Sequence, residues 1–308
     1  MKRVSVAIAA FIAAVAVASA QDYNAGIEAF NAGATALETS KTEALGSFRA
    51  ALAQFQACED EGAAAMVAKC KEIIPGTILS IAKEQINGAD YDNALATLAE
   101  AVSVAKEYGI ESVAEEASGL VPNVYMRKGS SLIKAKEFAG AIEAFKEVVA
   151  LTPDNGQAFL LLGQATLQTG DADSAIEALK KASELGQDAK ANKLIANTYL
   201  KKGQALLKAG KNAEAIEALE ESNKYVESAN AYKLIASALT KSGKTQDAIS
   251  TYKKYLEVAP DAKDAADIMF TIAATAQKAG DKATAKEYYQ KLAGSKYAAQ
   301  AEAQLKAL

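Results

Sequence analysis

Acidic and hydroxyl side chains are the groups of this sequence that could do chemistry, but their usual partners are missing. The 308 residues include no histidine, which removes the commonest general base and the commonest zinc ligand. The adjacent acids Glu115-Glu116 and Glu220-Glu221 are interpreted as solvated helix surface rather than as acid/base pairs. A Ser–Lys dyad is conceivable from composition, but no pattern places such a pair together. We therefore expect no catalytic residue, no metal ligand and no cofactor, and hence no enzyme.

Two short acidic patterns resemble the start of a calcium-binding loop. Asp90-x-Asp92 and Asp171-x-Asp173 both lack the glycine at the sixth position and the glutamate at the twelfth that such a loop requires. Both patterns also follow turn-forming residues. We expect these aspartates to form turns and to cap the helices that follow.

Cys58 and Cys70 are the two cysteines, and they flank a predicted turn at residues 59–64. In an oxidising compartment such a pair can form a disulfide. The alternative is two buried thiols. A redox or metal role is disfavoured because the spacing is not Cys-x-x-Cys and no histidine is present.

The first twenty residues have the features of a secretory signal peptide. Lys2 and Arg3 precede an apolar run at residues 4–18, and Ala18-Ser19-Ala20 forms a small-x-small cleavage site. The run is shorter than the roughly 20 residues of a membrane helix, and no second stretch reaches that length. We expect an exported protein, periplasmic or secreted, with no membrane span.

Charge is distributed unevenly along the chain. Residues 21–122 hold 16 acids and 6 bases, whereas residues 123–308 hold 22 acids and 26 bases. The overall acidity disfavours binding to a phosphate backbone, so we expect no nucleic-acid partner. The asymmetry is either a drift in the composition of solvated helix faces or a binding surface divided by sign.

A small residue followed four positions later by a larger one marks the second helix of a helical hairpin. Glycine, aspartate, asparagine and lysine fill the predicted turns, and Pro153 and Pro260 stand between hairpins. Wider spacings near residues 62–75, 110–122 and 187–195 predict lengthened first helices, two of them containing Pro75 and Pro122. Residues 296–308 predict a capping helix. Seven pairs carry the mark: Ala44/Phe48, Ala94/Leu98, Ala141/Phe145, Ala175/Leu179, Ala215/Leu219, Ala248/Tyr252 and Ala285/Tyr289.

The middle of the chain repeats after 34 residues, which is typical of a helix-turn-helix solenoid. The matched positions are Tyr125, Gly129, Leu132, Ala141, Phe145 and Val148 in one copy and Phe159, Gly163, Thr166, Ala175, Leu179 and Ala182 in the next. With Pro153 at the end of the first copy and Leu162-Gly163 in the second, this pattern resembles the tetratricopeptide repeat. The resemblance implies an all-α, right-handed superhelix of about seven hairpins with a C-terminal capping helix. With the signal peptide at 1–20, the predicted organisation is irregular hairpins at 21–121 and a regular array at 122–308.

In the tetratricopeptide family the first helices line a concave groove that holds peptide segments. Asparagine and glutamine there offer donors and acceptors to a peptide backbone, and lysine favours carboxylates. Lys134, Lys208, Lys241 and Lys278 recur at one position, but a lysine near a helix C-terminus is also favoured without any ligand. The family's carboxylate clamp is not implied, because Arg127 and Leu161 stand where it has asparagine. The matching positions are Asn123, Met126, Ser130, Lys134, Gln157, Leu160, Gln164, Gln168, Asn197, Leu200, Gln204, Lys208, Asn230, Lys233, Ser237, Lys241, Asp267, Phe270, Ala274 and Lys278.

Three functions are compatible with the sequence. The favoured one is a non-enzymatic interaction scaffold of the bacterial cell envelope that binds a protein segment in the concave groove. The second is a structural protein that assembles through the ends of its solenoid; the oligomeric state is left open. The third, an enzyme or a glycan-binding protein, is disfavoured because histidine and tryptophan are both absent.

Overall fold

A computed structural model describes residues 22–308 as helices joined by short turns. No strand occurs in this part of the chain, so the predicted all-α fold is confirmed. The predicted signal peptide lies outside the described residues. Among the helices that the structure describes, none is long and apolar enough to cross a membrane.

The chain divides into two compact units, and the first ends at Pro153. Residues 121 and 122 lie inside a helix of this unit, and the predicted domain boundary there stays a prediction. The helices of the first unit are α1 (22–36), α2 (Lys41–Ala57), α3 (Ala63–Asn87), α4 (Tyr91–Tyr108), α5 (Glu111–Lys134) and α6 (Phe138–Leu151).

The second unit runs from Asp154 to Leu308. A π-helical segment, Ser183–Gln187, joins two of its helices. The helices are α7 (Gly156–Thr169), α8 (Ala172–Ala182), α9 (Asp188–Lys208), α10 (Asn212–Tyr225), α11 (Ala229–Lys241), α12 (Thr245–Val258), α13 (Ala265–Lys278), α14 (Lys282–Lys291) and α15 (Ala298–Ala307).

The seven predicted hairpins are all present. Each marked pair falls on the second helix of a hairpin, namely α2, α4, α6, α8, α10, α12 and α14, and both members of every pair are buried. The small residue of each pair lets the two helices of the hairpin approach closely, and the larger residue fills the interior between them.

The predicted turn chemistry explains where the helices stop and start. Gly170 adopts φ 88° and ends α7, and the Asp171 side chain then accepts a hydrogen bond from the backbone N–H of Ser174 (3.1 Å). Gly280 and Asp281 repeat this arrangement before α14. A left-handed glycine followed by a capping aspartate reverses the chain in two residues.

Three first helices are longer than the others, as the wide spacings predict. α3 has 25 residues, α5 has 24 and α9 has 21, whereas α7 has 14. Pro75 and Pro122 lie inside α3 and α5 without ending them. The extra turns give these helices additional surface beyond the length that their hairpin partners cover.

Each apolar core joins helices of neighbouring hairpins. In the first unit a single cluster joins buried residues from α2 to α5. In the second unit, α9 takes part in two clusters. Ala191 and Ile195 pack with α7 and α8, whereas Leu200 and Leu207 pack against the cluster of α10 to α12. One helix thus belongs to two neighbouring cores.

The predicted capping helix is α15. Leu305 and Leu308 pack against the last core cluster. Tyr297 stacks on Phe270, with ring centroids 4.6 Å apart, and Lys296 forms an ion pair with Asp267. The helix therefore covers apolar side chains of the last hairpin that would otherwise face water.

Glycines set how closely the two helices of several hairpins approach. A Cβ built on Gly163 would lie 2.6 Å from Leu179 Cγ and 3.2 Å from the Ala175 carbonyl oxygen. Gly203 meets Leu219 at the same distance, and Gly129 meets the Phe145 ring at 2.7 Å. These contacts leave no room for a methyl group.

Replacing Gly163 by alanine should lower the free energy of unfolding by about 1–3 kcal/mol, because the added methyl group overpacks the α7–α8 interface. Gly46, in the exposed middle of α2, has nothing within 4 Å of its Cβ position. Gly46→Ala should instead stabilise the protein by about 0.5–1 kcal/mol through helix propensity. Urea denaturation followed by circular dichroism measures both. Equal effects of the two changes would contradict the close-approach explanation.

Candidate functional site

The predicted groove positions lie on the first helices of hairpins three to seven, and their side chains reach the surface. All twenty are exposed or half-buried except Leu160. Leu160 is 1% exposed and belongs to a core cluster, so its predicted place in the groove is wrong. A leucine at helical spacing fits a core and a binding surface equally well, and the sequence alone does not separate them.

A cleft of about 960 Å³ lies between the C-terminal end of α7, the turn into α8 and one face of α9. Four predicted groove residues line it together: Gln168, Asn197, Leu200 and Gln204. The structure thus brings one groove position of hairpin four and three of hairpin five into one concave surface, whereas Gln157, Gln164 and Lys208 do not line it.

The spacing along α9 explains why these side chains share a face. Asn197, Lys201 and Gln204 are separated by four and three residues, which places them on successive turns. Lys201 also lines the cleft, although it is not one of the groove positions predicted from the sequence. Its position one turn from Asn197 was the signal that could have identified it.

Apolar side chains form the floor of the cleft. Leu167 and Leu194 line it and also pack against the core of α7 to α9, while Leu200 packs against the next core. These leucines are half-buried, so their remaining apolar surface is available to a ligand. Neither Leu167 nor Leu194 was among the positions predicted from the sequence.

Acids and bases at the rim of the cleft balance one another. Lys202 pairs with Asp173 (3.5 Å) across α9 and α8. The hydrogen bonds from Ser174 hold the pKa of Asp171 below its ordinary value, so this carboxylate stays charged beside Lys201 and Lys202. Neither sign dominates here. The cleft combines apolar floor, amide side chains and paired charges, which can hold a polypeptide backbone by hydrogen bonds.

Lys233, a predicted groove residue, is engaged in the structure. It forms an ion pair with Asp264, which also accepts a hydrogen bond from the Tyr255 hydroxyl. Asp264 precedes α13, so the contact ties α11 and α12 to the next hairpin. The partner lies 31 residues along the chain, beyond the reach of local spacing rules.

The recurrent lysines remain compatible with both interpretations given above. Lys134, Lys208, Lys241 and Lys278 each occupy the last turn of a first helix. All four are exposed, and within residues 22–308 none of them forms an ion pair. Their position favours the negative end of the helix dipole, and their exposure leaves them accessible to a partner.

The two cysteines lie on either side of the α2–α3 connection. Cys70 is buried in the core of the first unit, and burial raises the pKa of its thiol. Cys58 follows α2 and is half-buried, and its sulfur accepts a hydrogen bond from the Asp60 N–H (3.4 Å). The Cys58–Cys70 disulfide stays a prediction.

Family comparison gives a consistent result along the second half of the chain. Three family models, each described as a tetratricopeptide repeat, match residues 132–198, 200–265 and 267–295. Together these ranges cover more than half of the chain. No curated protein matches the sequence.

Several solved structures resemble parts of the chain. The crystal structure of MamA is 26% identical, covering 57% of this chain and 92% of MamA, with a TM-score of 0.34. YrrB, described as a TPR protein with an unusual peptide-binding site, is 17% identical over 60% of this chain and 86% of its own, with a TM-score of 0.31. PilW, described as a type IV pilus biogenesis factor, is 19% identical over 72% and 93%, with a TM-score of 0.30. Scores this low carry no information about a partner.

The contact among Lys233, Tyr255 and Asp264 should make stability depend on pH at both extremes. Hydrogen bonds from Lys233, the larger cause, and from Tyr255 lower the pKa of Asp264. The ionised carboxylate therefore stabilises the folded state above about pH 4, and this stabilisation is lost as the pH falls further. Burial, and then the hydrogen bond to Asp264, raise the pKa of Tyr255 to about 12. The protonated Tyr255 hydroxyl therefore stabilises the folded state fully below about pH 10, and this stabilisation declines between pH 10 and 12.

The measurement is the urea midpoint at several pH values for three proteins. Relative to the unchanged chain, Asp264→Asn should be less stable at neutral pH, and the difference should shrink below pH 4. In Tyr255→Phe the urea midpoint should decline less above pH 10 than it does in the unchanged chain. A constant difference at every pH would show that these groups do not titrate with folding.

Proposed function

Because this chain belongs to the tetratricopeptide repeat family, we propose that it is a non-enzymatic interaction scaffold whose first helices bind a segment of another protein. Tetratricopeptide repeats are protein-interaction modules. The observation that carries the proposal is the cleft between α7 and α9, in which three amide side chains, Gln168, Asn197 and Gln204, stand above a leucine floor.

The cleft fits an extended peptide better than a small metabolite. It is open along α9 and its two acids and two lysines balance in charge, so no single polar group dominates it. Amide side chains donate and accept hydrogen bonds at once and therefore match a peptide backbone irrespective of sequence. The half-buried leucines Leu167, Leu194 and Leu200 would contact apolar side chains of the same segment.

We place this scaffold in the bacterial cell envelope. The support is the predicted signal peptide at residues 1–20, with its basic start, apolar run and Ala-x-Ala end. Periplasmic and secreted locations both follow from such a signal. Fractionation of the source cells, with detection of the chain by antibody and determination of its mature N-terminus, tests this assignment.

Self-assembly through the solenoid ends is less well supported than partner binding. Leu305 of α15 and Leu308, which follows it, pack against the last core cluster. Gln300, Glu302 and Lys306 on the same helix are exposed. A polar outer surface gives a second copy little apolar area to cover. Light scattering of the chain from residue 21 onward should therefore show no long array.

A variant of the cleft should lose its protein partner. Asn197→Ala combined with Gln204→Ala removes two hydrogen-bonding side chains, each contributing about 1 kcal/mol, so affinity should fall about tenfold or more. Gln290→Ala with Gln300→Ala is the matched control, because both residues are exposed on α14 and α15. Capture from an envelope fraction, with helicity checked by circular dichroism, compares the three proteins.

Crosslinking then locates the contact. A photoreactive amino acid at position 201 faces the cleft, and one at position 300 does not. The captured protein should crosslink at 201 and be absent at 300. The cleft would be rejected as the binding site by two results together. The partner would bind both double variants equally, and it would crosslink at neither position or only at position 300.

The lysines at the helix ends provide a separate test of partner charge. Changing Lys208, Lys241 and Lys278 to glutamate should weaken the binding of an acidic partner about tenfold or more at low salt. The effect should be smaller at high salt because exposed charges are screened. Salt-dependent binding kinetics measure the effect. An unchanged association rate would show that these lysines serve only the helix ends.

A further inference from the structure

A second, smaller pocket lies in the first unit, on the first helix of the third hairpin. It has a volume of about 300 Å³ and is formed by one face of α5 and the start of α4. Three predicted groove residues, Met126, Ser130 and Lys134, line it. Its remaining lining residues are Tyr91, Arg127 and Ser131.

The lining is cationic and rich in hydroxyl groups. Arg127, Ser130, Ser131 and Lys134 follow a spacing of three, one and three residues, which places them on one face of α5. Ser130 donates its hydroxyl to the Met126 carbonyl (2.8 Å). Within the described part of the chain, the hydroxyls of Ser131 and Tyr91 have no hydrogen-bond partner, so both can donate to a ligand.

The two cations of the pocket are not neutralised by the protein. Between residues 22 and 308, Arg127 and Lys134 form no ion pair. The adjacent Lys128 instead pairs with Asp92 on α4. Asp92, which follows Tyr91, is therefore already paired with a lysine outside the pocket. No acidic side chain lines the pocket, which leaves it with two positive charges.

Two other clefts of the chain differ in this respect. The cleft between α7 and α9 sets Asp171 and Asp173 against Lys201 and Lys202. A cleft of about 410 Å³ between α10 and α12 contains three acids and one lysine: Glu217, Glu220, Asp247 and Lys244. The pocket on α5 therefore has a charge character that the other two lack.

We propose that the pocket on α5 binds a phosphate group. Two uncompensated cations match the charge of about −1.5 to −2 on a phosphate monoester at neutral pH better than the single charge of a carboxylate. The guanidinium of Arg127 can hold two phosphate oxygens in a fixed geometry, and hydroxyl donors serve the others. A volume of about 300 Å³ admits a phosphate with its first waters.

The phosphate comes either from solution or from a phosphorylated residue of the protein partner. The second source rests on the proposed function, since the pocket, like the cleft, includes predicted groove residues of a first helix. Direct binding of inorganic phosphate needs no partner, so the site can be tested by itself.

The experiment is calorimetric titration of the chain from residue 21 onward with inorganic phosphate, O-phosphoserine, a phosphoserine peptide and acetate. Arg127→Gln with Lys134→Gln should weaken phosphate binding about tenfold or more, because it removes two charge-assisted contacts. Lys69→Gln with Lys106→Gln removes the same charge from exposed lysines of the same unit and should leave binding unchanged. Thermal melts confirm that both variants are folded.

The outcomes separate the possibilities. Tighter binding of the phosphopeptide than of free phosphate assigns the group to a protein partner, and equal binding assigns it to free phosphate. Absent binding, equal affinity for acetate, or equal loss in both double variants would overturn the phosphate site. Crosslinking at position 201 would persist in that case if the proposed function is correct, so the two ideas can fail separately.

Discussion

The close approach of paired helices is the constraint on which the rest of this structure depends. Gly129, Gly163 and Gly203 leave room for Phe145, Leu179 and Leu219 to lie directly against a neighbouring backbone. Large side chains from the second helices fill these spaces and bury apolar surface inside each hairpin. The opposite face of the first helix is then left to polar residues such as Asn197 and Gln204, which makes it a surface for recognition.

The hairpins could be predicted from the sequence because their determinants are local. Ala175 and Leu179 lie one helical turn apart, and Gly170 with Asp171 encodes the intervening turn within two residues. Helix length followed from the wide spacings around Pro75 and Pro122. Each of these signals acts over a few residues, which is the range in which spacing carries information.

The candidate sites could be predicted only in part because they depend on contacts between hairpins. Spacing placed Gln168, Asn197 and Gln204 on first helices, and the structure unites them in one cleft. Spacing did not separate Leu160, which is buried, from Leu200, which lines the cleft. The ion pair of Lys233 with Asp264 and the free cations beside Tyr91 depend on which hairpin faces each residue, and no local pattern records that.

The division of α9 between two cores has a consequence for how a bound segment would act on the chain. Ile195 anchors one half of this helix and Leu207 the other, and the cleft residues from Asn197 to Gln204 lie between them. A ligand along residues 194–204 would thus contact one helix, α9, that is packed into two neighbouring cores. Since a ligand stabilises whatever must be folded to bind it, its binding free energy would suppress local opening of both cores at once. Occupancy at one hairpin would become thermodynamically linked to the order of the next.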